Sequence, residues 1–395
     1  MIGLESDLRR ILTVTLKARH DDLTDQLNRL IMVKLFLVCC LIMGISWFTD
    51  SINCIVPAIN TVETAFVSQA CWIQGFYVFK PLMTRFDVAF FGIPRDIDSN
   101  GLLASGELCT VQPSFGIASD KCIPMEKIFY LQYQWMPFLI GSLSAVYYIP
   151  YVFFLQANSD MISLKAAVMG KEKPSKIVSM FFGCKPQRFL QLRVVSSIFV
   201  KSLYLIVNIG TFVFLNFLLN GEYYKYGVKW ANWSKQSNAD AFDYMGKKTN
   251  PRPGSQLLPP FGYCELFESS KDIKYTVANK HKFVCELSQH VLYQYCLLVL
   301  WFFIIGGIIV SALGIFFHVY QYVHLICVRY SYKGHKNMFL KTLTLREFLY
   351  LDLIKTKNNK LYEEVIENLE LQSSVKMRNG RSHHTSVTEI DLLTK

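Results

Sequence analysis

The sequence predicts an all-α integral membrane protein with four transmembrane helices per subunit. Two observations carry that reading. Four long apolar runs, 31–48, 133–155, 197–219 and 291–320, divide the chain. Six cysteines fall in just two of the segments between them. A helix of about 20 residues, rising 1.5 Å per residue, matches a hydrocarbon core of about 30 Å. Lipid offers the backbone no hydrogen-bond partners, so each run must satisfy its own and is read as a helix. Composition agrees, at 52% hydrophobic and 14% aromatic, beyond the usual apolar share of soluble domains.

Loop charge sets the expected orientation. Residues 156–196 hold seven Lys/Arg and two Asp/Glu. This is the one loop short enough for basic residues to hold it strongly in the cytoplasm. The expected order is then a cytoplasmic amino-terminal segment 1–30, TM1 31–49, extracellular loop 50–129, TM2 130–155, cytoplasmic loop 156–196 and TM3 197–219. Extracellular loop 220–290, TM4 291–320, a cytoplasmic helical region 321–371 and a polar tail 372–395 follow. Both termini are cytoplasmic in this scheme. Loop 220–290 is basic, but long loops cross largely regardless of charge. Residues 1–30 show no cleavable signal pattern, so the first span is expected to serve as a retained anchor. The sequon Asn232-Trp233-Ser234 falls in the second outer loop, making Asn232 a glycosylation candidate. Lys34 and Lys201 sit near the inner ends of their spans, where their side chains are expected to reach the headgroups.

The net charge of +11 is scattered over loops, with no basic stripe interleaved with aromatics, so nucleic acid is not an expected partner. Membrane lipid is. Cys39, Cys40, Cys296 and Cys327 lie in or beside spans and read as packing residues. Cys184 lies in the inner loop, where thiols stay reduced. Cys54, Cys71, Cys109 and Cys122 in the first outer loop, with Cys264 and Cys285 in the second, are expected to form disulfides. Six cysteines allow fifteen pairings, and the residues alone do not choose. His281 and His290 flank Cys285, but no CxxC or HxxxH accompanies them, and no metal is expected. The sequence contains no Walker loop, HExxH or GxSxG, so neither an enzyme nor a cofactor is expected.

Asp21-Asp22-Leu23-Thr24-Asp25-Gln26-Leu27-Asn28 ahead of the first span, Asp50-Ser51-Ile52-Asn53-Cys54, Val56-Pro57-Ala58 and Cys71-Trp72-Ile73-Gln74-Gly75-Phe76-Tyr77 resemble motifs of the innexins, the pannexin-related invertebrate gap-junction proteins. So do Leu300-Trp301-Phe302-Phe303 and, in the second span, Tyr133, Gln134, Trp135, Met136 and Pro137. The likeness covers roughly 15–370. Cys109 and Cys122 are additions to the pattern. The resemblance implies disulfides Cys54–Cys285 and Cys71–Cys264, which leaves Cys109 with Cys122.

The resemblance also implies a gap-junction channel subunit that passes ions and small molecules between cells. Subunits, of this chain or of other innexins, would form a ring of about eight. That ring would carry disulfide-linked extracellular loops and a cytoplasmic helical dome, and would dock with an opposing hemichannel on a neighbouring cell. The alternatives are an undocked pannexin-like hemichannel and a four-pass adhesion or scaffold protein without a pore. The amino-terminal residues 2–16 alternate apolar positions at helical spacing, with Glu5, Asp7, Arg9 and Arg10 as candidate pore charges. Pro137 within the second span is expected to act as a hinge. Apolar residues at helical spacing over 343–371, broken at Asn358-Asn359, predict two short cytoplasmic helices.

Overall fold

The computed structural model describes residues 23–49, 52–56, 63–96, 98–111, 122–182, 186–236, 252–268, 279–331 and 343–372. Among the described residues, four helices are long and apolar enough to cross a membrane: Leu23–Ile45, Gln132–Ala157, Gln187–Leu218 and Ser288–Val328. The first, α1, starts as a turn Leu23–Gln26, loosens into a π-helical stretch Leu27–Met32 and continues as Val33–Thr49. The others are α3 (Gln132–Ala157), α6 (Gln187–Leu218) and α9 (Ser288–Ser331). At 44 residues α9 is about 66 Å long, twice the hydrocarbon thickness, so it continues well beyond a bilayer. The chain divides into two compact units, and the division falls inside all four long helices.

One unit holds 32–146 and 209–306. The sequence reading assigned no secondary structure to the loops in this stretch. Among the described residues they carry ten strands. A five-stranded antiparallel sheet is ordered β1 (Asn53–Ile55), β10 (Asn279–Glu286), β9 (Phe261–Glu268), β2 (Phe76–Phe79), β8 (Lys127–Tyr130). It therefore interleaves strands from both loops. The helix α2 (Thr64–Gln74) leads into β2, and α7 (Tyr226–Trp233) and α8 (Pro253–Leu257) lie between α6 and β9. Tyr77, Phe79, Leu82, Ala89, Ile93, Met125 and Tyr263 form a buried core. Gly262 has no side chain because the Phe76 ring occupies that space, 1.9 Å from where a Cβ would stand.

Between β2 and β8 runs an insertion with two small sheets. The hairpin β3 (Ala89–Phe90) to β4 (Ile93–Pro94) turns on Phe91-Gly92, both at positive φ as a two-residue hairpin turn requires. Strand β5 (Gly101–Leu103) pairs with β6 (Leu108–Cys109) on one side and β7 (Cys122–Pro124) on the other.

The other unit holds the described residues within 1–31, 147–208 and 307–395. Its core joins α4 (Ser159–Met169), α5 (Pro174–Phe181) and the start of α6 to α10 (Leu345–Lys357) and a further helix α11 over 359–372. The last two are separated at Asn358. Thr344 opens α10 with a capping box, its hydroxyl accepting from the Glu347 backbone while Glu347 returns to the Thr344 N–H.

The core also holds an ion pair. Arg346 donates to Asp160 at 3.0 and 2.8 Å and to Asn158 Oδ1 at 3.0 Å, and Tyr350 donates its hydroxyl to Asp160. Burial alone would raise the Asp160 pKa. The Arg346 guanidinium and the Tyr350 hydroxyl outweigh it and hold that pKa below its ordinary value of 3.8. A depressed folded pKa gives stability that is complete above the ordinary value and lost only as pH falls through the folded one. Removing Arg346 takes away the main group that offsets burial, so the Asp160 pKa moves upward, with the Tyr350 hydroxyl and Arg193 at 3.6 Å still beside it. Arg346→Met is expected to destabilise this unit by about 3–5 kcal/mol at neutral pH. Its deficit in melting temperature relative to the unaltered protein should shrink as pH is lowered into the carboxylate range, as thermal melts across pH will read.

Candidate functional site

Among the described residues, the unit built on the two long loops holds three disulfides, two of which tie distant segments. Cys54 on β1 and Cys285 on β10 are directly opposed in register and bonded. Cys71 on α2 is bonded to Cys264 on β9, fastening helix to sheet across 193 residues. The sulfurs of Cys54, Cys71 and Cys285 lie within 4.8 Å of one another, so the two inter-loop bridges are neighbours. That spacing resembles a metal site, but every sulfur in it is already bonded to another. Cys109 and Cys122 are bonded from β6 to β7, across β5. The bridge passes over Gly101, where a Cβ would stand 2.6 Å from Cys122 Sγ, so only glycine fits beneath it.

The second-span motif sits against this sheet. Tyr133 and Gln134, in the first turn of α3, reach the end of α2: both donate to the Trp72 carbonyl, and Gln134 also to that of Ile73 at 3.1 Å. Those carbonyls belong to the last turn of α2 and have no partner within it. The Tyr133 ring stacks on Phe76 and meets Trp72 and His290 edge-on or tilted. His290 is fully buried, with Nδ1 2.7 Å from the Pro259 carbonyl. Met136 is buried, and Trp135 half-buried. Helix α3 continues unbroken through Pro137. A proline has no N–H, so the Tyr133 carbonyl four residues back loses its helical partner. The Tyr293 hydroxyl of α9 approaches it at 3.4 Å, and also the Met43 carbonyl of α1 at 3.5 Å. Beyond the membrane segments, Tyr77 donates its hydroxyl to Glu265, which Lys127 meets at 3.0 Å. Burial and then that carboxylate hold the Tyr77 phenol well above its ordinary value.

In the helical unit, the amino-terminal motif is an anchor. Asp25, buried on α1, accepts from Lys201 Nζ of α6 at 2.7 Å. Lys201 is 6% exposed, so it does not reach out to the headgroups as its position suggested. A charge in an apolar bundle gains more from an opposite charge beside it than from a long reach to water. Three residues on, Asn28 donates to Ser311 Oγ of α9 at 2.9 Å and accepts from Asn208 of α6 at 2.8 Å. Tyr147 of α3 donates to Asn208 Oδ1 at 2.9 Å. All four long helices thus meet in one polar knot. Gly307 and Gly314 on α9 make room for it, since a Cβ at either would stand 2.6 Å from Asn208 Oδ1 and 2.8 Å from Thr24 Oγ1 respectively. The π-helical stretch of α1 falls across Asn28, where such irregularity often marks function.

Asn208, Ser311 and Tyr147 had no part in the sequence reading. Asn208 was visible there as an amide in an apolar run, but its partners lie up to 180 residues away. Glu5, Asp7, Arg9 and Arg10 lie outside the described residues, as does Cys184. Asn232 is exposed on α7.

Two tests follow from this geometry. Tyr293→Phe is expected to lower stability by about 0.5–1.5 kcal/mol, and by less in a Pro137→Ala background, where residue 137 supplies the missing N–H. A double-mutant cycle by thermal melting measures the difference. Cys71→Ala is expected to leave Cys264 open to thiol labelling in the unfolded protein without reductant, and to cost about 2–4 kcal/mol.

The profile of the innexin family matches residues 21–372. No curated protein sequence matches the chain in direct comparison. The match takes in α1 and its polar knot, the second-span motif, both stapled loops and the helices through α11. The chain belongs to the innexin family, and it is a subunit of a gap-junction channel.

Proposed function

We propose that this chain forms rings of about eight subunits around a water-filled axis, with closed cyclic symmetry. Two rings, one in each of two apposed plasma membranes, dock through the unit that carries the disulfides. Ions and small solutes then diffuse between cells. In this reading the loops 50–129 and 220–290 are extracellular, both termini are cytoplasmic, and residues 343–372 pack with 156–196 as a cytoplasmic dome. The innexins are a channel family, and diffusion through a pore needs no catalytic group.

The observation that carries the reading is the five-stranded sheet made from both loops and fastened by two adjacent disulfides. Disulfides persist in an oxidising compartment, which favours the outer side. A surface ordered beforehand loses less entropy on association, which favours docking. Ring charges at the pore mouth are assigned to Glu5, Asp7, Arg9 and Arg10. A second reading rests on Asn232, exposed on α7 within a sequon: a glycan there would obstruct docking and leave an undocked hemichannel.

Expression in paired and in single oocytes separates these. Junctional current between paired cells is expected. Current in single cells alone would establish the hemichannel, and none in either would leave an adhesion or scaffold role. Asn232→Gln is expected to leave current unchanged if no glycan is carried and to raise junctional current if one is. Pro137→Ala is expected to shift the voltage dependence, and an unshifted curve removes the hinge.

A further inference from the structure

Beside the first turns of α9, one arginine carries hydrogen-bond donors that nothing in the protein uses. Arg252 immediately precedes α8 and is half-buried. Its Nε and Nη2 are closed off from solvent and have no hydrogen-bond partner among the described residues. Glu222, just ahead of α7, pairs with Lys229 instead. A guanidinium stays charged and can only donate. Burying two of its N–H groups unserved is costly, so a partner for them is called for.

The charge itself is held by aromatic rings. The guanidinium carbon lies 5.0 Å from the Tyr295 ring centroid and 5.5 Å from that of Trp230. Cation–π attraction holds the ion without supplying an oxygen acceptor to its N–H groups. Nε–H and Nη2–H lie on one edge of the guanidinium, a fork that matches two oxygens of a phosphate or a carboxylate. The elements around it are fixed to one another. Tyr226 of α7 donates to the Gln294 carbonyl of α9 at 2.9 Å, and the Gln294 amide donates to the Leu258 carbonyl just past α8 at 2.7 Å. Gly227 lets α7 sit close, since a Cβ there would stand 2.2 Å from the Trp301 ring. A site ordered in this way loses little entropy on binding.

What lies along α9 from Arg252 narrows the ligand. Tyr295, Val299 and Phe302 are all exposed, and at i, i+4 and i+7 they share one face. They run about 10 Å along a membrane-crossing helix, starting at the ring that holds the guanidinium. Trp and Tyr are the residues that gather at the level of lipid headgroups, and Trp230 and Tyr295 stand at the head of this stripe. A two-donor cation above an apolar stripe fits a molecule that is phosphate at one end and hydrocarbon at the other. We infer that Arg252 binds the phosphodiester of a membrane phospholipid, whose acyl chain lies along Tyr295, Val299 and Phe302. A soluble anion would match the fork but not the stripe. A second copy of this chain would match the stripe but would have to bring an acid to the fork. Reaching the fork takes a rotamer change at Arg252 or at the exposed Tyr295, of the kind common on binding.

The leaflet rests on the proposed placement of residues 220–290 outside the cell, which makes it the outer one. The lipid contact does not rest on that placement, so the two can fail separately.

The test uses the full chain in detergent micelles. Its probes are phosphatidylcholine and diacylglycerol, each with the same photoactivatable diazirine in an acyl chain. After irradiation and digestion, mass spectrometry follows labelling of residues 295–302 against probe concentration. Half-labelling is expected at about tenfold lower concentration with phosphatidylcholine, the worth of one charge-assisted contact. Arg252→Gln is expected to abolish that preference while labelling elsewhere on the four spans stays the same, which reports that the substituted protein remains folded. The comparison of the two lipids on the unaltered protein stands whatever the substitution does to folding. Equal labelling by the two lipids, or an undiminished preference in Arg252→Gln, overturns the inference. No label on 295–302 while the other spans are labelled shows that a second copy covers the stripe, and overturns it as well.

Discussion

A polar group placed in hydrocarbon must find its partner inside the protein, and the arrangement of the four long helices follows from that demand. Asp25 and Asn28 belong to the short motif that opens α1. Each would be costly alone in an apolar bundle. Lys201 answers the first, and Asn208 with Ser311 answers the second. Tyr147 closes the set from α3. These bonds fix the rotation and height of α1 against α6 and α9 more sharply than apolar contact could, since apolar packing is not directional. The glycines at 307 and 314 let the polar side chains come close enough to bond. The same demand operates where α3 meets α9. Pro137 withdraws an N–H from the Tyr133 carbonyl, and the Tyr293 hydroxyl stands next to it.

The unit built from the two long loops solves a different problem. Its strands come from two loops far apart in the chain, the last strand of the first ending at Tyr130 and the first strand of the second beginning at Phe261, and most of them are two to four residues long. Short strands hold few ladder bonds, and closing so long a loop costs conformational entropy. The two inter-loop disulfides restrict the unfolded ensemble, and the sheet then aligns the strands in one register. Burial completes the unit. Phe76 lies over Gly262, and Tyr133 and Gln134 take up the orphan carbonyls of α2. The second-span motif thus joins the loops to a membrane helix. The Cys109–Cys122 bridge braces a separate small sheet inside the first loop.

In the helical unit, α10 is held by an ion pair of the same kind as Asp25–Lys201. Arg346 and Asp160 are both almost wholly buried, and the hydroxyl of Tyr350 and the amide of Asn158 complete their hydrogen bonding. A buried pair of this type stabilises little relative to an apolar one, but it punishes misplacement, because either charge left alone would be strongly unfavourable. It therefore specifies where α10 docks.

What the sequence determined by itself is what depends on local chemistry. Runs of apolar residues long enough for a bilayer compel helices wherever they occur, and a proline or a sequon acts at its own position. Cysteines gathered in two segments announce cross-links without naming the pairs. What only the tertiary structure decided is whatever needs two distant residues to meet. Lys201 alone looked like a side chain reaching for water, because nothing near it in sequence showed Asp25, 176 residues away, as its partner. The strands escaped the reading because several are too short for alternation to show, and β2 is buried at all four positions instead of every second one. Partner choice and sheet register are set by burial and by closure of long loops. Those are properties of the packed chain, and no stretch of residues carries them alone.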